Sequence, residues 1–193
     1  MWYSEFYSGL LDYQYISLAV QYYLLARFGS RYVFNPASGS LYHLAFELFL
    51  KSYLRKDYSQ EGLKSKFGHN LVKLWSEFKE QVNSDLLDKY DLIIRNLDAW
   101  ERVRYIDLET GKNASVIELV SGYASKDYLN QLKKIDYKSQ KHFTLYTDDM
   151  DALFQVLVNA LKIPPEEFMK NPDFAHGRQL YDFANKHNIF EVK

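Results

Sequence analysis

The sequence predicts a mainly α fold, an antiparallel bundle of four to five helices. Three observations carry that expectation. Apolar residues recur at helical spacing in five separate segments, the segments are separated by turn and cap residues, and one of them is apolar on two faces. With 193 residues, 47% hydrophobic and 25% charged, the chain is long enough to bury the core of one such domain.

The first helix is read from about Glu5 to Phe28, with Leu11, Tyr15, Leu18, Tyr22 and Leu25 facing inward and Gly29 as its stop. Asn35-Pro36 and Ser38-Gly39-Ser40 have turn chemistry and are read as a connector. The second helix, about Ser40 to Lys56, carries two stripes. Leu41, Leu44, Ala45 and Leu48 form one, and Phe46, Phe49, Leu50 and Tyr53 the other. A helix apolar on so much of its circumference belongs at the centre of its fold. Between the stripes runs a polar line, His43, Glu47 and Lys51, at four-residue spacing.

Residues from Tyr58 to Phe67 are polar and are read as a loop with a short turn. Gly68-His69-Asn70 opens the third helix, with Asn70 as its cap and Leu71, Leu74, Trp75, Phe78 and Val82 as its stripe. Asn83 or Ser84 caps the fourth, with Leu86, Tyr90, Ile93, Ile94 and Leu97 facing inward. The pattern breaks from 101 to 146. Arg102–Ile106 and Ser115–Leu119 flank Glu109-Thr110-Gly111-Lys112-Asn113 and suit a small β-hairpin, and Asp127–Ile135 suits a short helix. Thr147 caps the fifth helix, whose stripe is Met150, Leu153, Phe154, Leu157 and Leu161. Asp148, Asp149 and Asp151 complement the dipole at its start, a simpler account of them than a metal site. Short helices are read after Pro165 and after Asn171, to about Lys186. The domain plan is therefore a single helical unit, with its core at about 36–106 and 147–162, an insertion at about 107–146 and C-terminal helices at 164–187.

Charge and composition exclude several function classes. The net charge is −1, from 24 basic and 25 acidic residues, so the overall basic excess of a tight nucleic-acid binder is missing, which leaves nucleic acid an open partner through a local basic patch. With no Cys there is no thiol nucleophile, disulfide or Cys-ligated metal. The apolar runs are short of the ~20 residues a membrane span needs, and Met1-Trp2-Tyr3-Ser4-Glu5 lacks the basic start of a secretory signal, so a cytoplasmic setting away from membranes is expected. No Gly-rich phosphate loop and no H-E-x-x-H or G-x-S-x-G motif is present, and no metal or cofactor is expected.

Three short motifs stand in order: Ala45-x-Glu47-x-x-Leu50-Lys51, then Gly68-His69-Asn70-Leu71-x-x-Leu74, then Arg104-Tyr105. Together they resemble the HEPN family (higher eukaryotes and prokaryotes nucleotide-binding) over about residues 36 to 106, although Ile106 stands where many members have Pro. The resemblance implies a helical bundle, frequently a homodimer. It also implies one of two roles. Some members are metal-independent ribonucleases of toxin or defence systems; others are non-catalytic partners of nucleotidyltransferases or binding modules.

The ribonuclease members carry an Arg followed by a His after four to six residues. The His moves a proton at the ribose or the leaving oxygen, and the Arg stabilises the phosphate. The five His here allow a full test. The allowed Arg positions hold Pro36, Ala37 and Ser38 before His43, and Gly62, Leu63 and Lys64 before His69. They hold Ile135, Asp136 and Tyr137 before His142, Met169, Lys170 and Asn171 before His176, and Leu180, Tyr181 and Asp182 before His187. None is Arg. Lys64 and Lys170 have the spacing without the planar fork that clamps a phosphate.

What remains as candidate chemistry is a cluster of Glu47, Lys51 and His69, read either as a nucleotide or ligand pocket with catalytic potential or as a network that fixes helix register. Arg102, Arg104 and Tyr105 are the second candidate, for binding a phosphate and stacking on a base, or else for ordinary pairing and core packing. The sequence therefore points to a non-catalytic HEPN-like module that binds a ligand or partner. A divergent ribonuclease or nucleotide-processing enzyme and a dimerisation scaffold stand as the alternatives.

Overall fold

The computed structural model describes residues 2–31, 35–104, 116–120 and 142–161, and the fold they form is mainly α. Helix α1 spans Trp2–Arg31, α2 Asn35–Leu54, α3 Gln60–Lys66, α4 Leu71–Val82, α5 Asp91–Arg104 and α6 Thr147–Leu161. A 3-10 turn, Asp85–Tyr90, precedes α5. Two short strands, β1 at Val116–Val120 and β2 at His142–Tyr146, complete the described residues.

The doubly apolar α2 takes the central position its pattern predicts, packing against α1, α4, α5 and α6. Tyr42, Ala45, Phe46, Phe49, Leu50 and Leu54 are buried on it, and Leu41, Leu48 and Tyr53 pack against the core in part. Aromatic rings knit the centre together. Tyr23 of α1 stacks on Phe154 of α6 with ring centroids 3.9 Å apart, and Phe49 of α2 meets Phe154 edge-on at 5.3 Å. Such contacts add about 0.5–1.5 kcal/mol each beyond the area they bury.

The inward face of α1 differs from the expectation. Ile16, Ala19, Val20, Tyr23 and Ala26 are buried, whereas Leu18 and Leu25 are 44% exposed. Apolar residues lie on both sides of this helix, so periodicity alone does not choose between them. The buried side carries Ala19 and Ala26, whose small side chains let α1 lie close along α2. Gly29 does not end α1 either: the helix runs on to Arg31, and Ser30 Oγ donates to the Arg27 carbonyl at 2.8 Å.

The expected connector before α2 is helix. Pro36 falls in the first turn, where an amide hydrogen has no intrahelical partner to lose. Gly39 is there for a neighbour: a Cβ at this position would lie 1.9 Å from Trp100 Cε2 of α5. The glycine lets the indole lie on the α2 backbone. Since His43 also meets Leu97, α2 and α5 run antiparallel.

The polar segment read as a loop contains α3, capped by Ser59 Oγ, which accepts from Gly62 N at 3.1 Å. In α4 the expected cap and stripe are both found. Asn70 Oδ1 accepts from Lys73 N at 2.8 Å, and Leu71, Leu74, Trp75 and Phe78 are buried. The expected fourth helix is divided between the 3-10 turn and α5. Tyr90, Ile93, Ile94 and Leu97 are buried as expected, but Leu86 is 80% exposed and Leu87 is buried in its place. A 3-10 turn has three residues per turn, which shifts the phase of Leu86 relative to α5.

The hairpin expectation is also corrected. Residues 102–104 belong to α5, and β1 pairs with β2 in parallel, with Leu119 opposite Leu145. Parallel strands require a crossover, not a tight turn. The Asp127–Ile135 helix and the C-terminal helices at 164–187 lie outside the described residues. Met150, Leu153, Phe154 and Leu157 of α6 are buried, in the stripe the sequence predicts. Among the described residues, no helix is long and apolar enough to cross a membrane.

Candidate functional site

The polar line of α2 lies between its two apolar stripes and meets the turn between α3 and α4. That turn is set by glycine. Helix α3 ends at Phe67, and Gly68 adopts a left-handed conformation, φ +56°, with its N–H on the Lys64 carbonyl at 3.1 Å. Asn70 at once caps α4, which leaves His69 alone between the two helices.

His69 Nδ1 lies 3.0 Å from Glu47 Oε1 and 3.2 Å from Oε2. Lys51 Nζ donates to Oε1 at 2.6 Å. Both interactions predicted by the sequence are thus present, and a fourth residue joins them. His43 Nε2 stands 3.5 Å from Glu47 Oε2, and its Nδ1 is 3.0 Å from the Leu97 carbonyl oxygen of α5. A carbonyl only accepts, so His43 Nδ1 carries a hydrogen. The sequence marks His43 as part of the polar line, but its backbone partner 54 residues away leaves no trace in any motif.

Glu47 is 5% exposed, Lys51 11% and His43 3%, while His69 is 73% exposed. Burial opposes the charge on Glu47. The groups against its oxygens, His43 and then Lys51, with the charges of Lys51 and His69, outweigh it and bring the pKa down to about 2. A carboxyl that ionises so early has no proton to give near neutral pH, so Glu47 is suited to orienting its neighbours, not to general acid chemistry.

The start of α4 is a weaker anion site than its position suggests. Leu71 N donates to Asp98 Oδ1 at 2.8 Å and Lys73 N to Asn70, so the chain's own side chains occupy two of the first-turn amides.

The backbone of Arg102 and Arg104 in the second predicted site stands apart from Glu47. Arg102 and Arg104 fall in the last turn of α5, beyond the Gly39–Trp100 contact. Counting helical rise from the His43–Leu97 contact sets their backbone roughly 14–16 Å along the axis from Glu47. Their side chains, like Tyr105, lie outside the described residues.

The acidic start of α6 holds a cluster that the sequence does not reveal. Asp151 accepts from Arg27 Nε at 3.1 Å and from the Tyr23 hydroxyl, and Arg27 Nη2 reaches Asp148 at 3.8 Å. Burial pushes the Asp151 carboxyl above its usual range; Arg27 and Tyr23 work against that rise, and Asp148 adds to it. Asp151 is therefore more than a complement to a helix dipole: it fastens α6 to α1 across 124 residues of sequence. Among the described residues, no group of three or more His, Asp or Glu is arranged to hold a metal ion.

Comparison with protein-family models, with curated proteins and with solved structures finds no match to this chain.

Proposed function

We propose that this chain is a non-catalytic, HEPN-like helical module that binds a ligand or a protein partner on the surface around His69. One observation carries the reading: the charges of the candidate site are spent on one another. Lys51, the cation best placed to meet a phosphate, is 2.6 Å from Glu47 Oε1, and Glu47 stays ionised far below neutral pH. Such a closed network fixes helix register and presents a surface, and it ties up on Glu47 the Lys51 ammonium that would otherwise meet a phosphodiester. The missing Arg/His spacing agrees with this. A homodimer in a bacterial defence or toxin–antitoxin setting is the context the family resemblance implies, and the cytoplasm is the compartment expected from the sequence.

The test has two arms. RNA incubated with the purified protein in chelator stays intact, and cleavage that His69→Ala abolishes would overturn the reading. A mononucleotide or protein partner that binds the folded chain raises its melting temperature, by about 2.7 kcal/mol of apparent stability at a hundredfold excess over Kd. His69→Gln weakens that shift. If no nucleotide moves the melting temperature, the small-ligand version fails and the partner version remains.

A second reading rests on a specific contact. An exposed His69 with its Nδ1 on a buried carboxylate is a suitable general base. It favours a divergent ribonuclease or nucleotide-processing enzyme, which the cleavage assay separates from a binder. A dimerisation scaffold, the third possibility, is tested by light scattering on the eluted protein together with the absence of any ligand shift.

A further inference from the structure

His69 has a feature that the binding reading does not use. Its Nδ1 faces both oxygens of Glu47, at 3.0 and 3.2 Å, and 73% of the side chain is open to solvent. An ionised carboxylate only accepts, so Nδ1 carries the hydrogen. The neutral ring then has its lone pair on Nε2. The buried neighbours keep it so, because Glu47 is 5% exposed and held in turn by Lys51 at 2.6 Å. The tautomer of an exposed histidine is ordinarily free to interchange; here the surroundings choose it.

A fixed lone pair on an accessible nitrogen is the arrangement of an activated nucleophile. Electrophilic attack at Nε2 puts positive charge on the ring, and Glu47 lies against the opposite nitrogen to offset it. The location narrows the chemistry further. His69 sits on an α3–α4 corner whose neighbours Lys66, Asn70 and Lys73 are exposed, so an electrophile has to be brought from outside the chain. His43, the other histidine on Glu47, is 3% exposed and closed to such a donor.

We propose that His69 is a phosphoryl-acceptor site, modified at Nε2 by a reactive phosphoryl donor of the acyl phosphate or phosphoramidate class. The Nε2 lone pair forms the new N–P bond as the bond from phosphorus to the donor's leaving group breaks. The leaving group departs with that electron pair, as a carboxylate that stays ionised from an acyl phosphate or as ammonia from N-protonated phosphoramidate. The Nδ1 hydrogen stays between the ring and Glu47, and the carboxylate balances the cationic ring of the phosphohistidine. Glu47 is a positioning residue in this step and Lys51 supports it. The inference concerns the nucleophilicity of one side chain and is independent of which ligand or partner the module binds.

The experiment uses the full chain and potassium phosphoramidate. Folded protein is treated near neutral pH, the modified residue is located by mass spectrometry under non-acidic conditions, and the ring position is read by phosphorus NMR. The expected result is modification of His69 at Nε2, with Nδ1 unmodified, and faster than at the same residue in the urea-unfolded chain, where both nitrogens react. In Glu47→Gln the rate at His69 falls on the order of tenfold, the scale seen when a carboxylate behind a functional histidine is lost. Attack at Nδ1 in the folded protein, or a folded rate no greater than the unfolded one, would overturn the proposal. Both readouts come from the wild-type chain, so they hold even if the Glu47 variant fails to fold.

Discussion

Glu47 on α2 and Asp151 on α6 are both withdrawn from water, and each faces a cation at close range. Glu47 is 5% exposed with Lys51 at 2.6 Å, and Asp151 is 22% exposed with Arg27 Nη2 at 3.0 Å. Burial opposes ionisation of both, yet Glu47 titrates near 2 while the Asp151 carboxyl is pushed above its usual range. The less exposed group is the one more firmly ionised, so depth does not decide the matter; the surrounding groups do. Glu47 is met by His43, Lys51 and His69. Asp151 has Arg27 and the Tyr23 hydroxyl, but Asp148 adds a like charge. Arg27 and the Tyr23 hydroxyl, opposed by Asp148, do not recover the cost of burying Asp151; the groups around Glu47 do.

The largest expected effect comes from removing the better-served carboxylate. Glu47→Ala leaves the Lys51 ammonium inside without its counter-charge and should cost about 3–5 kcal/mol, read as a lower denaturant midpoint at neutral pH. Acid should act through the same group. The folded pKa of Glu47 lies below the ordinary value of 4.5, so its stabilisation is complete above that value and is lost as pH falls toward 2. The difference amounts to about 3 kcal/mol, and Glu47→Gln should flatten that part of the stability–pH curve. Asp151 has the opposite sign. Its raised folded pKa favours the native state at low pH, and that contribution disappears as pH rises through the folded value.

The parts of this comparison that were legible in the sequence are those that local geometry dictates. Glu47 and Lys51 are one helical turn apart, and His69 is fixed between a glycine stop and an Asn cap, so their meeting can be read from spacing. Asp151 and Arg27 are 124 residues apart, and nothing local indicates that pairing. The same division runs through the fold. The stripes of α4 and α6 were readable because each has one dominant apolar pattern, and the central place of α2 because it is apolar on two faces. The inner face of α1 was not, because Leu18 and Leu25 compete with Ile16, Ala19 and Val20 and only the approach of α2 chooses between them. Gly39 reads as a turn until Trp100 is seen lying where its Cβ would be.

Gly68→Ala places a Cβ on a backbone at φ +56° and should cost about 1–2 kcal/mol. It should also loosen His69 from Glu47, seen as exchange between the two ring tautomers in nitrogen NMR. Asp151→Asn should cost less than Glu47→Ala at neutral pH, because it removes a charge that its site does not favour and keeps a side-chain oxygen to accept from Arg27, which also reaches Asp148. A loss there as large as that of Glu47→Ala would dissolve the contrast between the two carboxylates.

The most direct measurement is the carbon NMR titration of the two carboxyl groups in the intact protein. With Glu47 as a locked, permanently ionised support for His69, its carboxyl carbon keeps the ionised shift down to about pH 3.5, where an ordinary Glu is mostly protonated. Asp151 in the same spectra is protonated at a higher pH than an ordinary Asp. A Glu47 midpoint in the usual carboxylate range would contradict the account.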